Sequence, residues 1–445
     1  MIDSISWLQA SATVCFALGL LHSFSVGFFR RASMKRKPAE LSYKVLHFLS
    51  EVELVFILWA AIFILIYSAG SLLLSHATFQ TQYFLSLDFT EAFFVIAIMT
   101  ICSTEPILQF FETLILKLVR HIPLPPSIGF YFVSLTLGPL FGSLITEPAA
   151  MTLTALLLQK FFFKAADDGY SHPLPHQHQI SSRLKYMTLG LLFVNISVGG
   201  TLTPFAAPPV LMVAKKWGWD LSFMLTHFAG RTLLTIFMNT FFVLLINWKE
   251  FRKISLNLIP SEQKTLASSG YLEKTSVRFG IHLLFLVGVL FLSHHPFLFF
   301  PLFLLFLFFL SRTQQKIQLK EPIFVGLFLA GLVILSPAQA WWLQRMLSGV
   351  QDIVLFFGAA ALTSITDNAA LTLLGSQISG LSAQGQFLLV AGSVVGGGLT
   401  VIANAPNPAG YGILQNSFGH KGISPLKLFL AALPITGIAL LIFAW

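Results

Sequence analysis

Ser364-Ile-Thr-Asp-Asn-Ala-Ala-Leu-Thr372 repeats, in altered form, the earlier stretch Leu144-Ile-Thr-Glu-Pro-Ala-Ala-Met-Thr152. Five of the nine positions are identical, and the acid is exchanged conservatively, Glu147 for Asp367. A second match follows in the same order. Gly199-Gly-Thr-Leu-Thr-Pro-Phe-Ala-Ala-Pro-Pro209 aligns with Gly396-Gly-Gly-Leu-Thr-Val-Ile-Ala-Asn-Ala-Pro406 at six of eleven positions. Two ordered matches are hard to obtain by chance, even in a chain of biased composition. They divide the chain into a first repeat, residues 1–248, a cytoplasmic linker, 249–278, and a second repeat, 279–445.

The sequence around these motifs belongs in lipid. The chain has 445 residues, 56% hydrophobic and 10% charged, where a soluble domain carries about 25% charged residues. Mean hydropathy is +0.79. Runs such as Phe297–Leu310 and Leu426–Trp445 offer no polar face and need lipid or protein all around them. A helical span takes roughly 20 apolar residues. Spans are predicted at 10–29, 52–74, 89–115, 186–212, 224–247, 279–294, 297–311, 322–341, 385–412 and 425–445. Two further stretches, 125–163 and 346–380, are too long for one helix and too short for two full spans, and each has a Thr-acid motif at its centre. They are expected to be re-entrant hairpins, with tips carried on half-helices of about 12 residues, or about 18 Å. The predicted fold is thus an all-α polytopic membrane protein with inverted-topology repeats. It has about ten transmembrane helices, two re-entrant hairpins, and broken helices at 186–212 and 385–412.

Charge orients the layout. If the N-terminus is outside, 23 of the 27 basic residues fall in or beside cytoplasmic loops, as the positive-inside bias requires. Both termini then lie outside. Each half contains five full spans, an odd number, so the second half must run inverted. The first apolar run, Ala10–Phe29, lacks a preceding basic region and a small-residue cleavage site, and is expected to be a retained span. The net charge of +9 is scattered through loops, so no nucleic-acid partner is expected. Cys15 and Cys102 sit in apolar segments and suggest neither a disulfide framework nor a metal site.

The polar residues concentrate where the backbone must break. Pro148 and Pro204 remove donors. Gly199, Gly200 and Gly396 to Gly398 permit close approach, and Pro208-Pro209 and Pro406-Asn407-Pro408 end helices. Lipid offers no hydrogen bonds, so such segments survive only inside protein or beside a watery cavity. Tips and breaks entering from opposite faces are expected to meet near the midplane. There Glu147 and Asp367 would be the principal ionisable groups, because a carboxylate inside a membrane is costly and marks function by default. The expected ion- or substrate-binding set is Glu147, Thr146, Asp367, Thr366, Asn368, Asn404, Asn407, Thr203, Thr400, Gly199, Gly200, Gly397 and Asn195. Oxygen ligands of this kind suit a hard cation, and a carboxyl group removed from water can exchange a proton instead.

Glu105, in a second Thr-Glu-Pro, is a candidate for a proton route, whereas Glu112 is placed near the cytoplasmic interface. Arg231 with His227 could neutralise an anion but reads more simply as an interfacial pair. The loop His172-Pro-Leu-Pro-His176-Gln-His178 lacks the ligand spacing of a metal site.

The Ser-Ile-Thr-Asp-Asn-Ala-Ala-Leu-Thr segment, followed by Gly-Gly-Gly-Leu-Thr-Val-Ile-Ala-Asn-Ala-Pro-Asn, resembles the ion transporter superfamily of arsenite, citrate, dicarboxylate and sodium/proton carriers. From about Glu51 to the C-terminus the chain is most similar to a bacterial family of putative sodium/proton antiporters. The resemblance implies a homodimer in the bacterial inner membrane. It also implies a scaffold part and a transport part that moves in elevator fashion. Its tip motifs map onto Thr146-Glu147 and Thr366-Asp367-Asn368, and its broken-helix motifs onto Gly199 to Thr203 and Gly396 to Asn407. The first tip departs from the pattern with Glu-Pro, and Ala207 stands where the second break has Asn404. The two half-sites are therefore chemically unequal.

The expected function is sodium/proton antiport by alternating access, with sodium and protons as cargo and no cofactor. The alternative is cation-coupled symport or exchange of a small organic or inorganic anion. An enzyme is not expected: neither a His-Glu-x-x-His zinc motif nor a Gly-x-Ser-x-Gly elbow occurs.

Overall fold

The computed structural model describes residues 6–73, 81–163, 180–254, 269–293, 295–313, 319–347, 349–419 and 422–445. All regular structure among them is helical. The first half contains α1 (Trp7–Ser33), α2 (Leu41–Phe48), α3 (Val55–Leu73), α4 (Thr81–Leu85), α5 (Thr90–Cys102), α6 (Glu105–His121), α7 (Pro126–Ile145) and α8 (Glu147–Leu157). It continues through α9 (Ser182–Gly199), α10 (Pro208–Trp217), α11 (Leu221–His227), α12 (Ala229–Ile246) and the short α13 (Trp248–Phe251). The second half contains α14 (Ser269–Phe291), α15 (Pro296–Arg312), α16 (Lys320–Leu335), α17 (Ala340–Leu347), α18 (Asp352–Thr363), α19 (Asn368–Gly375), α20 (Ala383–Gly396), α21 (Asn407–Leu414) and α22 (Pro425–Ala444).

Local chemistry sets many of these ends. Ser6 and Gln9 form a reciprocal capping box on α1. Ser181 and Ser382 cap α9 and α20 through the amides of Leu184 and Gly385. Prolines open α7, α10, α15 and α22, where a missing N–H costs nothing.

Among the described residues, seven helical stretches are long and apolar enough to cross a membrane. The chain is accordingly a helical, multi-pass membrane protein. Two expectations need correction. The predicted span 89–115 is not one kinked helix: α5 stops at Cys102 and α6 starts afresh at Glu105. Ser103 and Thr104 turn their hydroxyls onto the carbonyls of Thr100 and Ile101, and Pro106 opens the new helix. The second correction concerns the first hairpin. Its leading arm, α7, has 20 residues and is about 30 Å long, not a half-helix. The second hairpin keeps short arms, 12 residues in α18 and 8 in α19.

The helices pack as two bodies. In the first, α1 packs on α3, α3 on α16, α16 on α5, and α14 and α15 on α5. In the second, α7 packs on α8 and α9, α9 on α12 and α22, and α18 on α20. The second parts of the broken helices cross over: α10 lies against α19 of the second hairpin, and α21 against α8 of the first. Contacts between the two bodies run mainly through α6, which touches α7, α8 and α14.

Candidate functional site

Both predicted breaks are present. α9 ends at Gly199, passes through a turn of 3₁₀ helix at Gly200–Leu202, becomes extended at Thr203, and resumes as α10. α20 ends at Gly396 and resumes as α21 at Asn407. Both predicted tips are present too, with Thr146 joining α7 to α8 and residues 364–367 joining α18 to α19. Thr146 has φ 72°, the one non-glycine residue with positive φ among those described. A β-branched side chain rarely tolerates that conformation, so surrounding packing must hold it.

Each tip is fastened to the break of its own half. Ser143 Oγ donates to the Gly199 carbonyl at 2.6 Å and accepts from the Leu202 amide at 2.8 Å. Thr203 Oγ1 donates to the Ser143 carbonyl, and Thr400 Oγ1 to the Ser364 carbonyl, both at 2.8 Å. Gly199 lies on the Pro139 carbonyl and Gly396 on the Ala360 carbonyl.

The halves then interlock. Asn404 Nδ2, in the second break, donates to Glu147 Oε2 at the first tip, at 2.8 Å. The Asn368 amide, at the second tip, donates to the Ala403 carbonyl at 3.0 Å. Asn368 Nδ2 reaches Ser197 Oγ at 3.5 Å, and Ser197 Oγ donates to the Val394 carbonyl at 2.6 Å. Asn407 Nδ2 spans the second break by donating to the carbonyls of Gly397 and Thr400, both at 2.8 Å. Glycine is required at Gly200 and Gly397 for one reason. A Cβ at Gly200 would stand 2.6 Å from Glu147 Oε1, and one at Gly397 would stand 2.9 Å from Asn368 Nδ2.

Glu147 and Asp367 are therefore joined through the single segment that carries Ala403 and Asn404. Glu147 is fully buried, and among the described residues its Oε1 has no hydrogen-bond partner; nor do Oδ1 of Asn368, Asn404 and Asn407, nor Oγ1 of Thr146. All except Thr146 Oγ1 are oxygens that can only accept. Their environment asks for a donor or a cation. Asp367 is placed differently. Its Oδ1 accepts from the amides of Ala369 and Ala370 at 2.8 and 3.1 Å, capping α19.

Other candidates are not gathered in. Asn195 is consumed by packing: its amide donates to the Leu135 carbonyl and Thr240 Oγ1, and its oxygen accepts from Asn239. Thr366, in the turn after α18, donates to the carbonyl of Leu362 in that helix. Glu105 is exposed and accepts from Gln109. Glu112 pairs with Lys160 at 3.5 Å. Arg231 donates to the His227 carbonyl and lies over Phe387. The histidine loop at 172–178 falls outside the described residues. Ser143 and Ser197 were missed as site residues, although each lies within four residues of a motif already singled out.

No curated protein matches the chain. A family model described as putative Na+/H+ antiporter matches residues 7–445. The chain thus belongs to the putative Na+/H+ antiporter family, a family of membrane transporters and not of enzymes.

Proposed function

We propose that the protein exchanges sodium for protons by alternating access, with Glu147 as the group at which cation and proton compete. The observation that carries this is Glu147 Oε1, buried and without a hydrogen-bond partner among the described residues, beside Asn404, whose Oδ1 is likewise unpartnered. A buried charge is tolerated only when paired. A sodium ion would supply the missing positive charge and accept the lone pairs of Glu147 Oε1 and neighbouring amide oxygens. A proton on Glu147 would neutralise the same group and displace the ion. Either form is neutral enough to cross with the moving body, whereas bare Glu147 is not. Exchange follows from that difference.

The crossing of α10 onto α19 and of α21 onto α8 supports inverted repeats, with both hairpins re-entrant and about ten spans. The division into two packed bodies supports elevator-like movement of the hairpin-bearing body against the other. In this reading the protein is a homodimer of the bacterial inner membrane with both termini outside. The remaining binding residues are Thr146, Asp367, Asn368, Asn404, Asn407, Thr203, Thr400, Gly199, Gly200 and Gly397, several of them acting through backbone placement.

The test is proton movement in proteoliposomes. Sodium added outside acid-loaded vesicles should collapse the pH gradient without any added anion. Dependence of the flux on a carboxylate or oxyanion would exclude antiport.

A further inference from the structure

We propose that a cavity between the two bodies, of about 330 Å³, is a vestibule leading monovalent cations and protons toward Glu147, and that Glu91 is its acceptor carboxylate. The proposal rests on the antiport reading above. The first body contributes Glu91 and Phe94 from α5 to the cavity wall, and the second contributes Pro204, Phe205 and Lys215. Pro204 and Phe205 belong to the first break. At one end of that break Gly200 packs on Glu147, and at the other Phe205 packs edge-on against Phe94, with ring centroids 6.4 Å apart. One segment of backbone thus touches the tip carboxylate and borders the cavity.

Glu91 makes no hydrogen bond and no ion pair among the described residues. The neighbouring Lys215 is committed to Asp88. That ion pair joins the second body to the chain just before α5. It lies at the cavity's edge. Asp220 also lines the cavity, but it is exposed and caps α11 by accepting from the Phe223 amide, so Glu91 is the half-buried acid left uncommitted there. A half-buried carboxylate in a cavity lined mostly by apolar side chains focuses its field and concentrates cations. Its charge should therefore act on capture of the ion and not on the exchange step.

Two measurements test this in the full-length protein in proteoliposomes. Glu91→Gln should raise the sodium KM several-fold with little change in the maximal rate, the signature of lost capture, and Glu91→Asp should restore much of it. Glu91→Cys should react with a membrane-impermeant maleimide, at a rate that sodium slows; the native Cys15 and Cys102 are buried. Ala214→Cys, on the opposite wall, is a second reporter if the first variant does not fold. A sodium KM unchanged in Glu91→Gln, or both cysteines inert from both sides of the membrane, would overturn the vestibule. If Glu147→Gln is inactive while Glu91→Gln behaves as wild type, the vestibule alone falls. If the wild-type protein moves no protons on sodium addition, the antiport reading falls, and labelling still reports whether water reaches the cavity.

Discussion

Asn404 Nδ2 donates to Glu147 Oε2 at 2.8 Å across a sequence separation of 257 residues. The bond joins a hairpin tip in one half of the chain to a helix break in the other. Through it one polar difference between the aligned breaks, Asn404 against Ala207, becomes a difference in what the tip acid touches. Asn404 supplies a donor to Glu147, and Ala207 supplies none. Two similar motifs thus take on unequal surroundings.

Replacing Glu147 by Gln should abolish exchange. The variant keeps the shape and the partner Asn404 but removes the charge for which sodium and proton are proposed to compete. Sodium-driven dissipation of a pH gradient should fall to the level of empty vesicles. Thermal stability should be equal or higher, because a neutral amide is less costly to bury than a carboxylate. Retained exchange would remove Glu147 from the mechanism.

Asn404→Ala should weaken sodium binding without unfolding the protein. A hydrogen bond to a charged group contributes roughly 1.5–3 kcal/mol, which corresponds to about 10- to 100-fold in apparent affinity. Sodium-dependent thermal stabilisation measures this directly, because a ligand that binds only the folded state raises stability with its concentration over Kd. The stabilisation curve should move to higher sodium by that factor.

Asp367 caps α19, and substitution can separate that role from the binding role proposed for it. Asp367→Asn keeps an oxygen for the amides of Ala369 and Ala370 and removes the charge. Asp367→Ala removes both, and the lost cap should cost a further ~1 kcal/mol of stability. Coupled transport should be lost in both variants, with the lower melting temperature confined to the alanine. Wild-type transport in Asp367→Asn would leave this residue a cap and nothing more.

Gly200→Ala should disable transport through geometry alone. Its Cβ would stand 2.6 Å from Glu147 Oε1 and 2.7 Å from Glu147 Cγ, so the tip or the break must shift. Gly437→Ala, where a Cβ meets nothing within 4 Å, is the control and should leave sodium affinity unchanged. Equal behaviour of the two would show that contact with the break does not position Glu147.

Asn195→Ala should act on stability. The loss of its bonds to Leu135, Thr240 and Asn239 strands buried polar groups at a cost of about 1–3 kcal/mol each. Transport per folded molecule should persist. A normal melting temperature with lost transport would return Asn195 to the binding set.

Sequence alone determined that the chain is helical and belongs in lipid, and where the two glycine-rich breaks fall. Those features are local. Long apolar runs demand internally bonded helices in lipid, and Gly-Gly and Asn-Pro favour an interruption at those two places. Thus the turn at Thr146 and the breaks after Gly199 and Gly396 were legible, whereas the length of α7 was not. Which polar atom meets which was not. Asn195 and Asn404 are the same residue type beside similar breaks, yet packing spends one on Leu135 and Thr240 and aims the other at Glu147. The split after Cys102 and the exposure of Glu105 also depend on tertiary context, as does the position of Glu91 beside Phe205. In a membrane interior no solvent competes for hydrogen bonds, so partners are assigned by how distant helices pack, and only the folded chain makes that assignment.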